Sequence, residues 1–422
     1  MKILIVGSGA KEYSIAKLVS TYESTELVFV APGNDAISEF ANCIDIRAKD
    51  VDGLLEFAQA NEIDLTIACS EKAITNGIGD KFNEAGLMIF APSGEASRIT
   101  ISKSIAKKFM YKTKIPTPRF GIFDRENMAV DFARKAQYPL VVKTDDHRQG
   151  ESVFVCDTFT IAKRIISDLF DEQNKKIVIE DFVQGQEFSY YVLTDGYNAM
   201  PLASVVPYKR VLEGDGGAVT SGLGAYSPSS LVDRNLEGRI FKEIVYPALD
   251  ELTKNGNPYI GVLGIDVIFD RSGKLNVLEF NPFFKEPDAQ CVLELLEENL
   301  AYIMQAAITG SLVDDYNEIK QKYGYVSSLV LISGGYPSEG TFGAKITGLE
   351  EAQEDSEIAH FNSILDAKGD FVTAGGRSIV VTSTGATLDV AVSKMYESAS
   401  FIKFDGKKYR KDIGKTFSIG CL

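Results

Sequence analysis

The chain has 422 residues, with 59 acids against 44 bases, a formal net charge of −15, two histidines and five cysteines. That length calls for several subdomains rather than one core. The acidic balance argues against nucleic acid or an anionic membrane as the main partner, because nothing would meet many phosphates at once; the few histidines and scattered cysteines argue against zinc and suit a reducing, cytoplasmic setting.

Residues 1–100 alternate short apolar runs ("KILIVG", "LVFVAP", "LTIACS", "MIFAP") with amphipathic stretches. This pattern predicts a parallel sheet with crossover helices. The opening "MKILIVGSG" reads as a first strand, not a signal peptide. The turn after it, "GSGAKE", has the spacing Gly7-x-Gly9-x-x-Glu12 and lacks a third glycine. The next strand ends in "APGN" rather than in an acid for a ribose. A nicotinamide cofactor is therefore disfavoured, while a phosphate could still sit on the backbone amides.

"SRITISKSIAKKFMYKTKIPTPRF" predicts a helix broken at Pro116. From about 118 to 290 the strands are rich in β-branched and aromatic residues, which predicts mostly antiparallel sheets. "VVKTDD" puts Lys143 at the end of an apolar strand, where it can meet phosphate oxygens. "VIEDFVQGQEF" carries Glu180 and Glu187 on either side of a turn at Gly185, with backbone for a base and a carboxylate for a ribose. "LEGDGGAVTSGLGAYSPSS", residues 212–230, predicts a mobile loop over a site. The stretch "AQCVLELLEENLAYIMQAAITGSL" reads as helix, and from about 324 strands and turns return. No run approaches the length of a membrane helix.

The metal chemistry is concentrated near "VLEFNPFFKEPDAQ", residues 277–290. Glu279 and Asn281 are two apart on a strand and share a face. Asp266 sits inside the apolar run before it and needs a partner or a metal. A hairpin turn at "DRSG" would bring Asp266 opposite Glu279, and oxygen ligands of this kind suit magnesium.

These residues and the strings "GSGAKEYSIA", "VAPGN", "VIEDFVQGQEFS", "GLGAYSPSSL", "SGGYP", "AGGRSI" and "FDGKKYRKDIG" make the chain resemble phosphoribosylamine–glycine ligases over almost its whole length. These are ATP-grasp enzymes of purine synthesis, also called glycinamide ribonucleotide synthetases. The resemblance implies an α/β and α+β multidomain protein. Residues 1–100 would be a parallel-sheet pre-ATP-grasp domain, and 101–292 a two-lobed ATP-grasp core with antiparallel sheets and a lid at about 118–188. Residues 293–323 would be linker helices, and 324–422 a small mixed C-terminal domain.

It also implies a ligase that joins phosphoribosylamine to glycine, or relatives of these small molecules, through an acyl phosphate. ATP would serve with magnesium, or manganese in its place, in a monomer or small homo-oligomer. Lys103 and Lys143 would contact ATP phosphates, Glu180, Asp181, Phe182 and Val183 adenine, and Glu187 the ribose. Asp266, Glu279 and Asn281 would hold the metal. Gly7, Gly9, Asn34, Gly222, Gly224 and Arg377 would surround the phosphoribosyl amine.

The departures lie on the acceptor side. The family's lid pattern V-V-K-A-D-G-L-A-A-G-K-G-V is here "VVKTDDHRQGESV", without the second lysine. Its N-C-R-F-G-D-P-E is here "NPFFKEPD", so Phe283 stands where an arginine would meet the acyl phosphate. Lys285, Arg148 or Arg210 is the expected substitute cation, and Asp288 completes the expected catalytic set. A paralogous ligase for other substrates and an inactive nucleotide-binding homologue are the alternative readings.

Overall fold

A computed structural model describes residues 1–145, 152–171, 176–338 and 340–415. The first sheet is five-stranded and parallel, in the order β3-β2-β1-β4-β5. Its strands are β1 (Lys2–Gly7), β2 (Leu27–Pro32), β3 (Asn42–Cys43), β4 (Leu65–Ala68) and β5 (Ile89–Phe90). Along β1, Ile3 and Ile5 join one buried cluster and Leu4 and Val6 another. Both faces are covered, which is why the run has no polar alternation.

A small antiparallel sheet follows in the order β6-β9-β7-β8, built from β6 (Phe120–Phe123), β7 (Leu140–Thr144), β8 (Val153–Cys156) and β9 (Ile177–Asp181). The helices Glu126–Lys135 and Phe159–Asp171 cover it, with Ala133 and Ile166 in their common core.

The central sheet has eight strands in the order β14-β13-β10-β11-β12-β15-β19-β16. It contains β10 (Gly185–Asp195), β11 (Ala199–Leu212), β12 (Gly216–Ser227), β13 (Ile260–Asp270), β14 (Leu275–Asn281), β15 (Tyr325–Ile332), β16 (Glu357–His360) and β19 (Arg377–Gly385). The pair β17 (Ser363–Leu365) and β18 (Phe371–Thr373) forms a separate hairpin. Because β15 pairs with β12, the boundary drawn near 324 does not interrupt the sheet. Among the described residues no helix is long and apolar enough to cross a membrane.

Two expectations about elements are corrected. The break in the helical stretch lies at Ser102, between the helices Gly94–Ile101 and Lys103–Thr113, rather than at Pro116. Ser102 leaves helical geometry and its hydroxyl accepts from Ile105 N at 3.2 Å, so it caps the second helix. The expected loop at 212–230 is mostly β12, inserted between β11 and β15. Small residues serve close packing there: a Cβ on Gly224 would lie 2.3 Å from Ile413 Cδ1.

Candidate active site

A cavity of about 1670 Å³ runs from the small sheet, across the central sheet, to the N-terminal loop and the C-terminal segment. Its middle is built by the β13–β14 hairpin. Asp270 O accepts from Gly273 N at 2.9 Å and closes the "DRSG" turn, and the register then sets Asp266 opposite Glu279 as expected. Between Asp266 and Val267 the register slips by one residue on β14, so Leu278 and Glu279 both line the cavity although adjacent.

Asp266 is fully buried and accepts from Ser189 Oγ at 2.9 Å, from Lys209 Nζ at 2.7 Å and from Lys285 Nζ. Burial opposes its charge, but the two ammonium groups outweigh burial and hold the carboxyl below its usual range. Lys209 also pairs with Glu187. Burial would lower the Lys209 pKa, yet Asp266, Glu187 and Glu279 raise it well above the ordinary value. The Asp266 oxygens, expected to meet a metal, meet these two ammonium groups and the Ser189 hydroxyl in this structure. Asn281 is 2% exposed and its Nδ2 has no hydrogen-bond partner among the described residues. This free NH2 end suits an anionic oxygen such as a phosphate's, since an amide nitrogen does not ligate a metal. The groups on this cavity wall with the chemistry for a divalent ion are the Asn281 amide oxygen and the Glu279 carboxylate.

Glu180 anchors a second ionic group. Its carboxylate lies 3.1 Å from Lys107 Nζ and 3.0 Å from Lys143 Nζ, and all three side chains are buried. Burial opposes ionisation of Glu180, but both lysines outweigh it and lower its pKa. Lys107, desolvated despite this partner, is lowered to about 8. Asp181, Phe182 and Val183 line the cavity beside this group, with the Asp181 carboxylate paired to Arg119, 3.0 Å from Nε. Lys103 is buried at the start of its helix but does not line the cavity. Asp145, just after β7, accepts from Ser104 N at 2.7 Å and so ties the Lys143 strand to that helix.

The N-terminal loop departs from the expected free phosphate cradle. Glu12 Oε2 accepts from Gly9 N and Glu286 Oε1 from Lys11 N, each at 2.7 Å. Burial and the neighbouring Glu286 raise the Glu12 pKa, and Lys11 only partly offsets them. Asn34 bonds Ser8 O at 3.0 Å and does not line the cavity, and Gly224 faces Ile413 instead. Gly222 does line it, at φ +110°, where a Cβ would stand 2.6 Å from Glu286 O; only glycine fits. Arg377 joins these pieces, donating to Ser221 O at 3.1 Å and Glu286 O at 3.2 Å, with its guanidinium 4.3 Å from the Phe361 ring.

Phe283 packs at 4.9 Å from Phe284 and 6.3 Å from Phe90, with Lys11 Nζ 5.7 Å from its ring. Of the expected substitute cations, Lys285 and Arg210 line the cavity, and Arg148 lies outside the described residues. Arg210 donates to Gly217 O at 2.8 Å. Asp288 is buried, accepts from Tyr191 Oη at 2.7 Å, and has its pKa raised by burial.

Models of the phosphoribosylglycinamide synthetase family match the chain in three blocks: the N domain at 1–100, the ATP-grasp (A) domain at 101–289 and the C domain at 326–416. The chain belongs to the phosphoribosylglycinamide synthetase family. The phosphoribosylamine–glycine ligase of Vibrio parahaemolyticus is 34% identical over 98% of each chain. A crystal structure of the phosphoribosylamine–glycine ligase of Thermotoga maritima superposes with a TM-score of 0.84 at 25% identity, covering 98% of this chain and 100% of that one. The biotin carboxylase domain of Hydrogenobacter thermophilus 2-oxoglutarate carboxylase, solved with MgADP and bicarbonate, shares the fold at a TM-score of 0.75 and 15% identity, covering 97% and 91%.

Sequence reasoning missed Lys107, Lys209 and Glu286 in this family member. Lys107 carried a signal, since it lies one helical turn after Lys103 on the same face. Lys209 did not: strand alternation sends adjacent residues to opposite faces, yet Lys209 and Arg210 both line the cavity because the β11–β12 register slips there.

Proposed function

We propose that the chain is an ATP-dependent ligase that joins phosphoribosylamine to glycine, with magnesium or manganese as the divalent metal. The observation that carries this is the pair of ammonium groups, Lys209 and Lys285, held by buried Asp266 in one cavity with Glu279 and Asn281. Backbone at Asp181, Phe182 and Val183 would seat adenine, with the ribose near Glu187. Lys143, steadied by Glu180, would meet phosphate oxygens. Glu279 and Asn281 would hold the metal, which neutralises phosphate charge when bound.

Glycine's carboxylate would attack the terminal phosphoryl group, releasing ADP and leaving an acyl phosphate. Lys209, Lys285 and Arg210 would offset its charge in place of the family arginine. The amine would then attack the acyl carbon and expel phosphate, with Asp288 accepting the amine proton, a task suited to a carboxyl with a raised pKa. Gly7, Gly9, Gly222 and Arg377 would shape the end that takes the phosphoribosyl group. In this reading 1–100, 101–292 and 324–415 work as one unit around the cavity, in the cytoplasm, where free thiols such as Cys69 and Cys291 would persist.

A second reading, a bulkier carboxylate than glycine, is favoured by the lining of Phe283 and Phe284. Phosphate release by the purified chain with ATP, magnesium, phosphoribosylamine and a panel of amino acids tests both. Release dependent on glycine supports the first reading, release with a larger acid supports the second, and none with any acid refutes both.

A further inference from the structure

Arg410, in the C-terminal string "KKYRKDIG", is 1% exposed and is the largest fully buried side chain among the described residues. A charge so buried needs several partners to be tolerated. Its fork meets Asp412, with Nε to Oδ1 and Nη2 to Oδ2 both at 2.8 Å, and stacks 5.0 Å from the Tyr208 ring. Its other bonds all reach the β11–β12 hairpin: Nη1 donates to Arg210 O at 2.9 Å, and Asp215 Oδ1 accepts at 3.3 Å. Asp412 adds a third grip, accepting from Gly214 N at 2.8 Å. On the far side, Tyr396 Oη donates to Arg410 O at 3.0 Å and accepts from Ile413 N at 2.9 Å, which fixes the string to the helix Leu388–Phe401.

The hairpin needs such a grip. Its register slips twice between Tyr208 and Leu212, where only Arg210 and Leu212 keep partners, Val219 and Gly216. The carbonyl of Lys209 is met by Thr220 Oγ1 at 2.8 Å, and that of Arg210 by Arg410, so side chains replace the ladder. At the turn Asp215 has φ +56°, a left-handed conformation that a non-glycine residue keeps only when its surroundings enforce it. This is also the segment that carries Lys209 to Asp266 and Glu187.

We propose that Arg410 and Asp412 form a positioning clamp through which the C-terminal segment sets Lys209 and Arg210 for ligation; this rests on the ligase reading above. The clamp touches no substrate and acts through the hairpin alone. Burial opposes both charges, but their mutual bonds outweigh it, so the Arg410 pKa is raised and that of Asp412 lowered. The clamp therefore stays ionised across the working pH range and is not a pH switch.

The test uses the full chain with Arg410→Lys and the milder Asp215→Asn, each also combined with Lys209→Met. Hydrogen exchange reads the clamp without turnover: amides of residues 208–219 should exchange about tenfold faster in either variant, while β1 amides stay unchanged. In glycine-dependent phosphate release, either variant should lower kcat by about tenfold to a hundredfold and leave the KM for ATP within about twofold. In the Lys209→Met background either variant should lower the residual rate by less than it lowers the unmodified rate, the remainder passing through Arg210. Unchanged exchange at 208–219 would overturn the clamp whatever the activity, and so would losses that multiply with Lys209→Met. An unmodified chain without glycine turnover would instead overturn the ligase reading, and with it the clamp's part in ligation, even where exchange rises as expected.

Discussion

Replacing Asp266 by Asn separates an internal counter-ion from a metal ligand. The substitution keeps the shape and the bond from Ser189 but removes the charge that holds Lys209 and Lys285. Lys209 keeps Glu187, whereas Lys285 loses its only ion pair among the described residues. Breaking a buried pair costs about 3–5 kcal/mol. The two lysine side chains are 21% exposed, which points to the lower end, about 3 kcal/mol. For a domain of this size each kcal/mol lowers Tm by about 2–4 °C, so the expected drop is about 6–12 °C by scanning calorimetry. The pH dependence has a definite sign. The folded pKa of Asp266 is below its unfolded value near 3.9, so its contribution is complete above about pH 5 and is lost as pH falls. The variant should lack that acid-side loss. A Tm within about 2 °C of the unmodified protein, together with a tenfold weaker magnesium requirement curve, would mean that Asp266 is a metal ligand after all and that the counter-ion reasoning is wrong.

Glu279→Gln should leave Tm within about 1 °C, because this half-buried side chain lines the cavity, and should abolish metal-dependent phosphate release; retained turnover refutes its role. Lys107→Met should flatten stability against pH between about 8 and 10.5. The native lysine gives up its proton at lower pH than the unfolded one, so unmodified stability rises with pH in that window by at most about 1.4 kcal/mol per unit, and urea melts at pH 8, 9 and 10 read the slope. Phe283→Arg alone should lower Tm and activity together, since it buries a cation beside Lys11 and removes two aromatic contacts; a gain in glycine-dependent phosphate release refutes this.

Local pattern revealed the parallel sheet, because unbroken apolar runs demand cover on both faces, and it revealed the Asp266–Glu279 pairing, because a short turn fixes a hairpin register. It failed where the deciding partner is distant in sequence. Asp266 is neutralised by Lys209, 57 residues away, and by Lys285, 19 residues away. No spacing rule reaches across those intervals, so the two lysine partners of this buried acid were not legible in the sequence. The 212–230 stretch failed for a related reason. Glycines and serines signal a loop when taken alone, but between two strands they permit the close approach that Ile413 and Glu286 require. Pro116 masked the true helix break because a proline is a louder local signal than the capping serine at 102.

On the ligase reading, Phe283, Lys285 and Asp266 would be one relocation of charge rather than separate changes. The family pattern N-C-R-F-G-D-P-E places arginine and glycine where this chain has Phe283 and Lys285, and Asp266 is the buried acid that pairs with Lys285. In the structure Phe283 packs in the Phe90–Phe284 cluster and Lys285, two residues later, pairs with Asp266, so that on the ligase reading Lys285 would supply the cation. Each change makes sense only beside the others: Asp266 without Lys285 has one cation fewer to offset its burial, and an arginine at 283 beside a retained Lys285 crowds like charge. The expected consequence is strong coupling. Phe283→Arg combined with Lys285→Gly and Asp266→Ala should recover much of the Tm and glycine-dependent activity that Phe283→Arg loses alone, against additive behaviour in which the triple variant is worst. Calorimetry and phosphate release on the four variants decide it. A triple variant no better than Phe283→Arg would show that the departures arose independently and that Lys285 does not stand in for the arginine.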